Sequence, residues 1–143
     1  MKKPIFWETA KKDLIKKDKT LGKIIQNYPG DFLFTKEDPF YTLARSIVGQ
    51  QISVSAAQAV WNRFEKKVKT VNPKAVKNIH HMKLKACGLS RQKISYLRSL
   101  SSAFVEKKIQ PEKWSFLENE IIIEELTQIK GIGQWTAEMF LIF

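Results

Sequence analysis

Apolar positions recur at helical spacing along most of the chain, and little of it alternates as a strand would. A first helix is expected from about Trp7 to Ile25, ending before the turn cluster Asn27-Tyr28-Pro29-Gly30-Asp31. Asp38 then stands as a cap before Pro39 at a first helical position, and Phe40, Leu43, Ala44, Ile47 and Val48 share one face of the helix that follows. Gly49 ends or interrupts it, and Gln50-Gln51 follow. Ser53 can cap a further helix with the apolar stripe Ala57, Val60, Trp61, Phe64 and Val68. Asn72-Pro73 breaks the chain before a short helix over Ala75 to His80. Leu84 to Ser90 reads as a short helix, a stop at Gly88 and a serine cap. The helix from Arg91 to Lys107 places Ile94, Leu97, Leu100 and Phe104 on one face, with Arg91, Lys93 and Arg98 on its other side. An aromatic-rich connector, Pro111 to Asn119, leads into a last helical pair. The pattern predicts an all-α protein with short loops, arranged as one domain over residues 1–143 with two helical lobes.

The bulk composition narrows the class. With 143 residues, 43% hydrophobic and 27% charged, the chain is of ordinary globular size and make-up. No apolar run approaches the about 18–20 residues of a membrane span, so no membrane partner is expected. The first residues, Met1 to Glu8, meet charge too early to form a signal-peptide core. Cys87 is the single cysteine, which excludes an internal disulfide or a Cys-rich metal site. His80-His81 lacks partners at metal-ligand spacing and is expected in solvent. A monomeric cytosolic protein is the simplest fit.

Charge adds a partner. Lys and Arg number 25 against 14 Asp and Glu, a net charge of +11, which favours a polyanion and most often nucleic acid. Between Arg63 and Arg98 nearly every charge is positive, while the residues after Pro111 lean acidic. A regional excess of this kind is what a binding face requires, and an ordinary solvated face is the alternative.

The most informative stretch is Leu126-Thr127-Gln128-Ile129-Lys130-Gly131-Ile132-Gly133-Gln134-Trp135-Thr136-Ala137. A helical run from about Glu120 to Ile129 stops at Gly131-Ile132-Gly133, and a second run restarts at once. Two glycines one residue apart allow a sharp turn and leave the amides at the start of the next helix uncovered. Those N–H groups and the positive end of the helix dipole form an anion site. The stretch, at about 121–143, looks like a helix-hairpin-helix that grips a DNA phosphate.

Three segments together, Asp38 to Ser53, Leu84 to Lys93 and Leu126 to Phe143, resemble the helix-hairpin-helix DNA glycosylase superfamily, and within it the DNA-3-methyladenine glycosylase II family. The resemblance implies two helical lobes with the hairpin at their cleft, and base excision repair: an alkylated purine is flipped out of double-stranded DNA and its N-glycosidic bond hydrolysed. It implies DNA contacts at Gly131, Ile132, Gly133, Gln134 and Thr136, and at Gln50 and Gln51, with Gln51 as the wedge that fills the gap left by the flipped base. It implies a base pocket at Trp135, Met139 and Tyr41. It also implies that the carbonyls of Thr127, Ile129 and Gly131 hold a structural Na or K ion, with no other cofactor required. The setting is bacterial-type cytoplasm, at the nucleoid through DNA.

Two departures bound the activity. Relatives that also cut the strand carry a Lys where this chain has Trp135, and an indole cannot form a Schiff base, so the resemblance points to hydrolysis alone. An indole in the pocket also suits a positively charged alkylated purine, worth about 0.5–2 kcal/mol. The family's catalytic Asp falls beyond Phe143, so no catalytic residue is expected within the chain, and Glu138 does not match its position. The apolar end Phe140-Leu141-Ile142-Phe143 fits a C-terminally truncated form. Alternatives are a non-catalytic helix-hairpin-helix DNA-binding protein, or another base-excision glycosylase of the same superfamily.

Overall fold

The computed structural model describes residues 3–34 and 38–142, so the position of Phe143 lies outside the described residues. Among the described residues every regular element is a helix. The chain divides into two compact units, a small N-terminal one that carries α1 (Trp7–Lys17) and α2 (Lys19–Asn27), and a larger one, Asp38–Ile142.

In the small unit the expected single helix is two. Asp18 leaves the helical conformation (φ −138°, ψ 115°), and its carboxylate accepts from the amides of Thr20 and Leu21, opening a new helix with an N-cap. Gly22 is buried where the pair meets, and a Cβ there would make an ordinary contact, 3.4 Å, with the Ile15 carbonyl oxygen. Trp7 Nε1 and Lys11 Nζ donate to the carbonyls of Asp31 and Pro29, which ties the following turn to α1.

The larger unit holds α3 (Pro39–Gly49), α4 (Val54–Val68), α5 (Pro73–Asn78), α6 (His81–Lys85), α7 (Arg91–Val105), a 3₁₀ turn (Pro111–Phe116), α8 (Asn119–Thr127) and α9 (Gln134–Ile142). The expected caps form: Asp38, Ser53 and Ser90 accept from the amides of Tyr41, Ala56 and Lys93. The stripes of α3, α4 and α7 meet, so that Leu43, Ile47, Phe64, Leu97 and Leu100 are fully buried. α3 touches α4, α7 and α9, and α7 touches α3, α5 and α6, so these two helices form the frame on which the rest is hung. Burial at roughly 25 cal/mol per Å² of apolar surface is the main term holding that frame.

Helix ends explain much of the remainder. Arg98 lies off the apolar face of its helix, and its guanidinium donates to the carbonyls of Val76, Lys77 and Ile79 at the C-terminal end of α5. A six-residue helix leaves most of its carbonyls without intrahelical partners, and a fork of cationic donors satisfies several at once. Arg63 likewise donates from Nε to the Cys87 carbonyl at 2.9 Å. Part of the basic excess between Arg63 and Arg98 is therefore structural. Cys87 is buried, as its small size suggested, and its burial raises the thiol's pKa. His81 is exposed, and His80, also exposed, caps α6 by accepting from the Met82 amide.

Candidate nucleic-acid interface

The hairpin is built by tight local bonds. α8 ends at Thr127, and the amides of Ile129 and Ile132 donate to the carbonyls of Leu126 and Ile129 at 3.0 Å each. The chain then reverses through Gly131 at φ +96°, a conformation a Cβ would strain. Ile129 and Ile132 point inward, the latter 4% exposed, which nails the turn to the core. The Gly133 carbonyl accepts from the Ala137 amide at 3.1 Å, so Gly133 starts α9 and the first amides of that helix have no intrahelical acceptor. Gly133 and Gln134 are exposed there, and space around Gly133 is open. A short helix whose orphan N–H groups face outward is suited to a phosphate oxygen.

A cleft of about 770 Å³ opens beside this turn. Gly131, Ile132 and Gly133 form one wall, the turn Gln50-Gln51-Ile52 forms another, and Ser90, Gln92, Lys93 and Tyr96 from the start of α7 close it. Two bonds tie these walls together. Gln50 Nε2 donates to the Gly131 carbonyl at 2.9 Å, and Lys93 Nζ donates to the Val48 carbonyl at 2.7 Å. Burial lowers the pKa of Lys93. Gln51 is exposed and, without being a glycine, sits in the left-handed region at φ +57°.

The structure brings together Gln50, Gln51, Gly131, Ile132 and Gly133 on that cleft and adds Tyr96, Lys93 and Gln92 beside them, which no local sequence signal marks. Gln134 donates to Glu138 across one turn of α9, and Thr136 is 6% exposed. Trp135 is 68% exposed, an indole left uncovered by these residues, and Met139 is half-buried on the same helix. Neither lines the cleft beside Gln51. Tyr41 is not on that cleft either: its ring packs edge-on to Trp61 at 5.0 Å, its hydroxyl donates to Glu65 at 2.7 Å and accepts from Trp61 Nε1. Burial, and then the Glu65 contact, raise its pKa. These bonds hold the half-buried Tyr41 against the core where α3 meets α4.

The three carbonyls named for a monovalent cation can be tested for fit. The Ile129 oxygen accepts the Ile132 amide and the Gly131 oxygen accepts Gln50, yet each carbonyl has a second lone pair to offer. Neutral backbone oxygens are the donor type that suits an alkali cation, so the chemistry of these donors is compatible with one. Among the described residues no group of His, Cys, Asp and Glu is placed to hold a metal by side chains.

The two helices of the hairpin are also latched from outside. Trp114, in the 3₁₀ turn, donates from Nε1 to Glu125 on α8 at 2.7 Å and packs edge-on to Phe140 on α9 at 5.3 Å. This aromatic turn was visible in the sequence only as a connector.

Comparison with known proteins decides the family. Residues 44–138 match the HhH-GPD superfamily of base excision DNA repair proteins. The chain belongs to that superfamily. It is 38% identical over 129 residues to DNA-3-methyladenine glycosylase 1 of Schizosaccharomyces pombe, an alignment covering 87% of this chain and 57% of that one. To the DNA-3-methyladenine glycosylase of Saccharomyces cerevisiae it is 33% identical, over 90% of this chain and 49% of the relative. The chain thus spans about half the length of these curated relatives. Among solved structures, the Schizosaccharomyces pombe 3-methyladenine DNA glycosylase in complex with abasic DNA superimposes with a TM-score of 0.81 at 33% identity, covering 94% of this chain and 69% of that one. The fold expected from the three sequence segments is the fold observed: all-α, with a helix-hairpin-helix. No described helix of this superfamily member is long and apolar enough to cross a membrane.

Proposed function

We propose that this superfamily member acts in the excision of alkylated purines, 3-methyladenine among them, from double-stranded DNA as a monomeric, monofunctional N-glycosylase. The observation that carries the reading is the pairing of two features on one cleft: a Gly131–Gly133 turn that opens onto free helix amides, and Gln51 held out in a left-handed conformation across from it. The first suits a backbone phosphate, and the second suits insertion where a base has left the stack. Flipping an already damaged base costs only a few kcal/mol. Trp135, exposed on α9, supplies a face for a cationic purine and no amine for an imine, which supports hydrolysis without strand cleavage. A Na or K ion on the carbonyls of Thr127, Ile129 and Gly131 would steady the turn. The site of action is chromosomal DNA, the nucleoid in a bacterial cell.

The carboxylate that steadies the developing sugar cation is part of the proposal and is placed outside residues 1–143. Among the described residues lining the cleft there is no Asp or Glu, and Glu138 is engaged by Gln134. That observation favours a second reading for these residues alone, a grip on DNA without bond cleavage. Release of 3-methyladenine from alkylated DNA separates the two. Residues 1–143 are expected to bind a duplex carrying an abasic-site analogue more tightly than an undamaged duplex, with strong salt dependence, and to release no base. Equal affinity for both duplexes would overturn the glycosylase reading, and base release would overturn the placement of the carboxylate.

A further inference from the structure

The turn between α3 and α4 is over-determined. Lys93 reaches from α7 to the Val48 carbonyl in the last turn of α3, across 45 residues of chain. Two residues on, Gln50 reaches the Gly131 carbonyl across 81 residues. Gln51 follows at φ +57°. A left-handed non-glycine residue persists only where its surroundings hold it, and such positions collect where geometry matters to function. These two bonds are the hold: one fixes the end of the helix, the other fixes the first residue past it.

Lys93 lines the cleft yet is poorly placed to serve as a phosphate contact, because its ammonium is directed at a protein carbonyl. Its position at the C-terminal end of α3 is where a helix dipole favours a cation. Burying an ammonium is costly, as its lowered pKa reflects, so an aliphatic side chain would pack α7 against α3 at less expense. What a methylene chain cannot do is fix the Val48 carbonyl in direction and so fix where the helix ends.

We propose that Lys93 is a positioning residue for Gln51: by anchoring the Val48 carbonyl it sets the end of α3 so that Gln50 can bridge to Gly131 and Gln51 is displayed toward the DNA in its inserting geometry. The proposal rests on the reading of Gln51 as the wedge. Lys93 touches no reacting atom. It links the wedge turn to α7, while Gln50 links it to the phosphate-binding turn, so the two DNA-facing parts of the cleft keep a fixed spacing.

The test uses a duplex in which a tetrahydrofuran abasic-site analogue lies beside 2-aminopurine, whose fluorescence reports insertion into the gap. The full chain is expected to change that emission on binding. Lys93→Met is expected to lose most of the amplitude at saturating protein. Lys93→Arg, which can still donate to Val48, restores most of the amplitude. Gln50→Met, which keeps the length of the side chain and removes its donor to the Gly131 carbonyl, lowers the amplitude as well. Full amplitude in Lys93→Met overturns the role. So does a fall in amplitude that is matched by a fall in melting temperature and not restored by Lys93→Arg, since general folding support then accounts for it. A wild-type chain that binds the duplex with no change in emission overturns the wedge reading of Gln51, and the Lys93 proposal with it.

Discussion

A Cβ added to Gly131 would lie 2.2 Å from Cγ of the Tyr96 ring. Tyr96 belongs to α7 and Gly131 to the hairpin turn, so the glycine is the point at which that turn rests on the frame of the fold. Gly131→Ala meets both that ring and a φ of +96°. Overpacking and left-handed strain each cost about 1–3 kcal/mol. The variant is expected to lower the thermal midpoint and to weaken DNA binding together. Adding Tyr96→Ala to Gly131→Ala should recover only part of the stability, because it removes the ring but leaves the Tyr96 Cβ, 2.7 Å from the added atom, and the backbone strain. Denaturant titration of the single and double variants measures the division.

The basic residues divide into two groups with opposite signatures. Arg98 gives up its donors to the end of α5, so Arg98→Met is expected to cost about 1.5–3 kcal/mol of stability. Its effect on the salt dependence of DNA binding should be small. Lys67 and Lys83 are exposed on α4 and α6, and their replacement by alanine should leave unfolding unchanged. Any of them that contacts a phosphate should lower the slope of log affinity against log salt by about 1. Urea melts and binding isotherms at several salt concentrations read the two quantities separately.

This division marks where the linear pattern stops being informative. The caps at Asp38, Ser53 and Ser90 and the stripes of α3, α4 and α7 are local, and a residue's own neighbours specify them. Asp18 is local too, but the polar run Lys16-Lys17-Asp18-Lys19 carries no Gly or Pro to flag a stop, and the cap was passed over. Arg98 and Lys93 are different. Their charges face carbonyls 19 to 45 residues away, and nothing in the local pattern distinguishes such a cation from one in water. Tyr96 was invisible for the same reason. The hairpin glycines are legible because a φ requirement is a property of the turn itself, whereas the partners of Tyr41 on α4 and the cleft-facing residues of α7 depend on how separate helices pack.

Lys93 also predicts a pH effect on stability. Burial lowers its pKa in the folded state relative to the unfolded chain. Between that lowered value and the ordinary lysine value the unfolded chain binds more protons, so this group's contribution to stability rises as pH rises through the window. The stability difference between the wild-type chain and Lys93→Met should therefore shift in favour of the wild type from neutral pH toward the alkaline end. Paired melts across that range give the sign. A difference that moves the other way would show that the ammonium is better solvated folded than unfolded.

Trp135 should separate recognition from folding. At 68% exposure its replacement by alanine is expected to change stability by no more than about 0.5 kcal/mol. If its face meets a cationic purine, the same replacement should reduce discrimination between a charged alkylated base and its neutral counterpart by about 0.5–2 kcal/mol. Competition binding with the two duplexes checks this.

The Trp114 latch bears on whether the hairpin can be moved. Helix-hairpin-helix stretches are short enough to invite transplantation into other scaffolds. Here the pair α8–α9 is braced from outside itself: at the turn by Gln50, and across the two helices by an indole that touches one with its nitrogen and the other with its ring. Residues 119–142 cut out as a peptide would leave both braces behind. The smallest transferable unit must begin at the 3₁₀ turn and must find, in its new host, a substitute for the side chain that holds the Gly131 carbonyl.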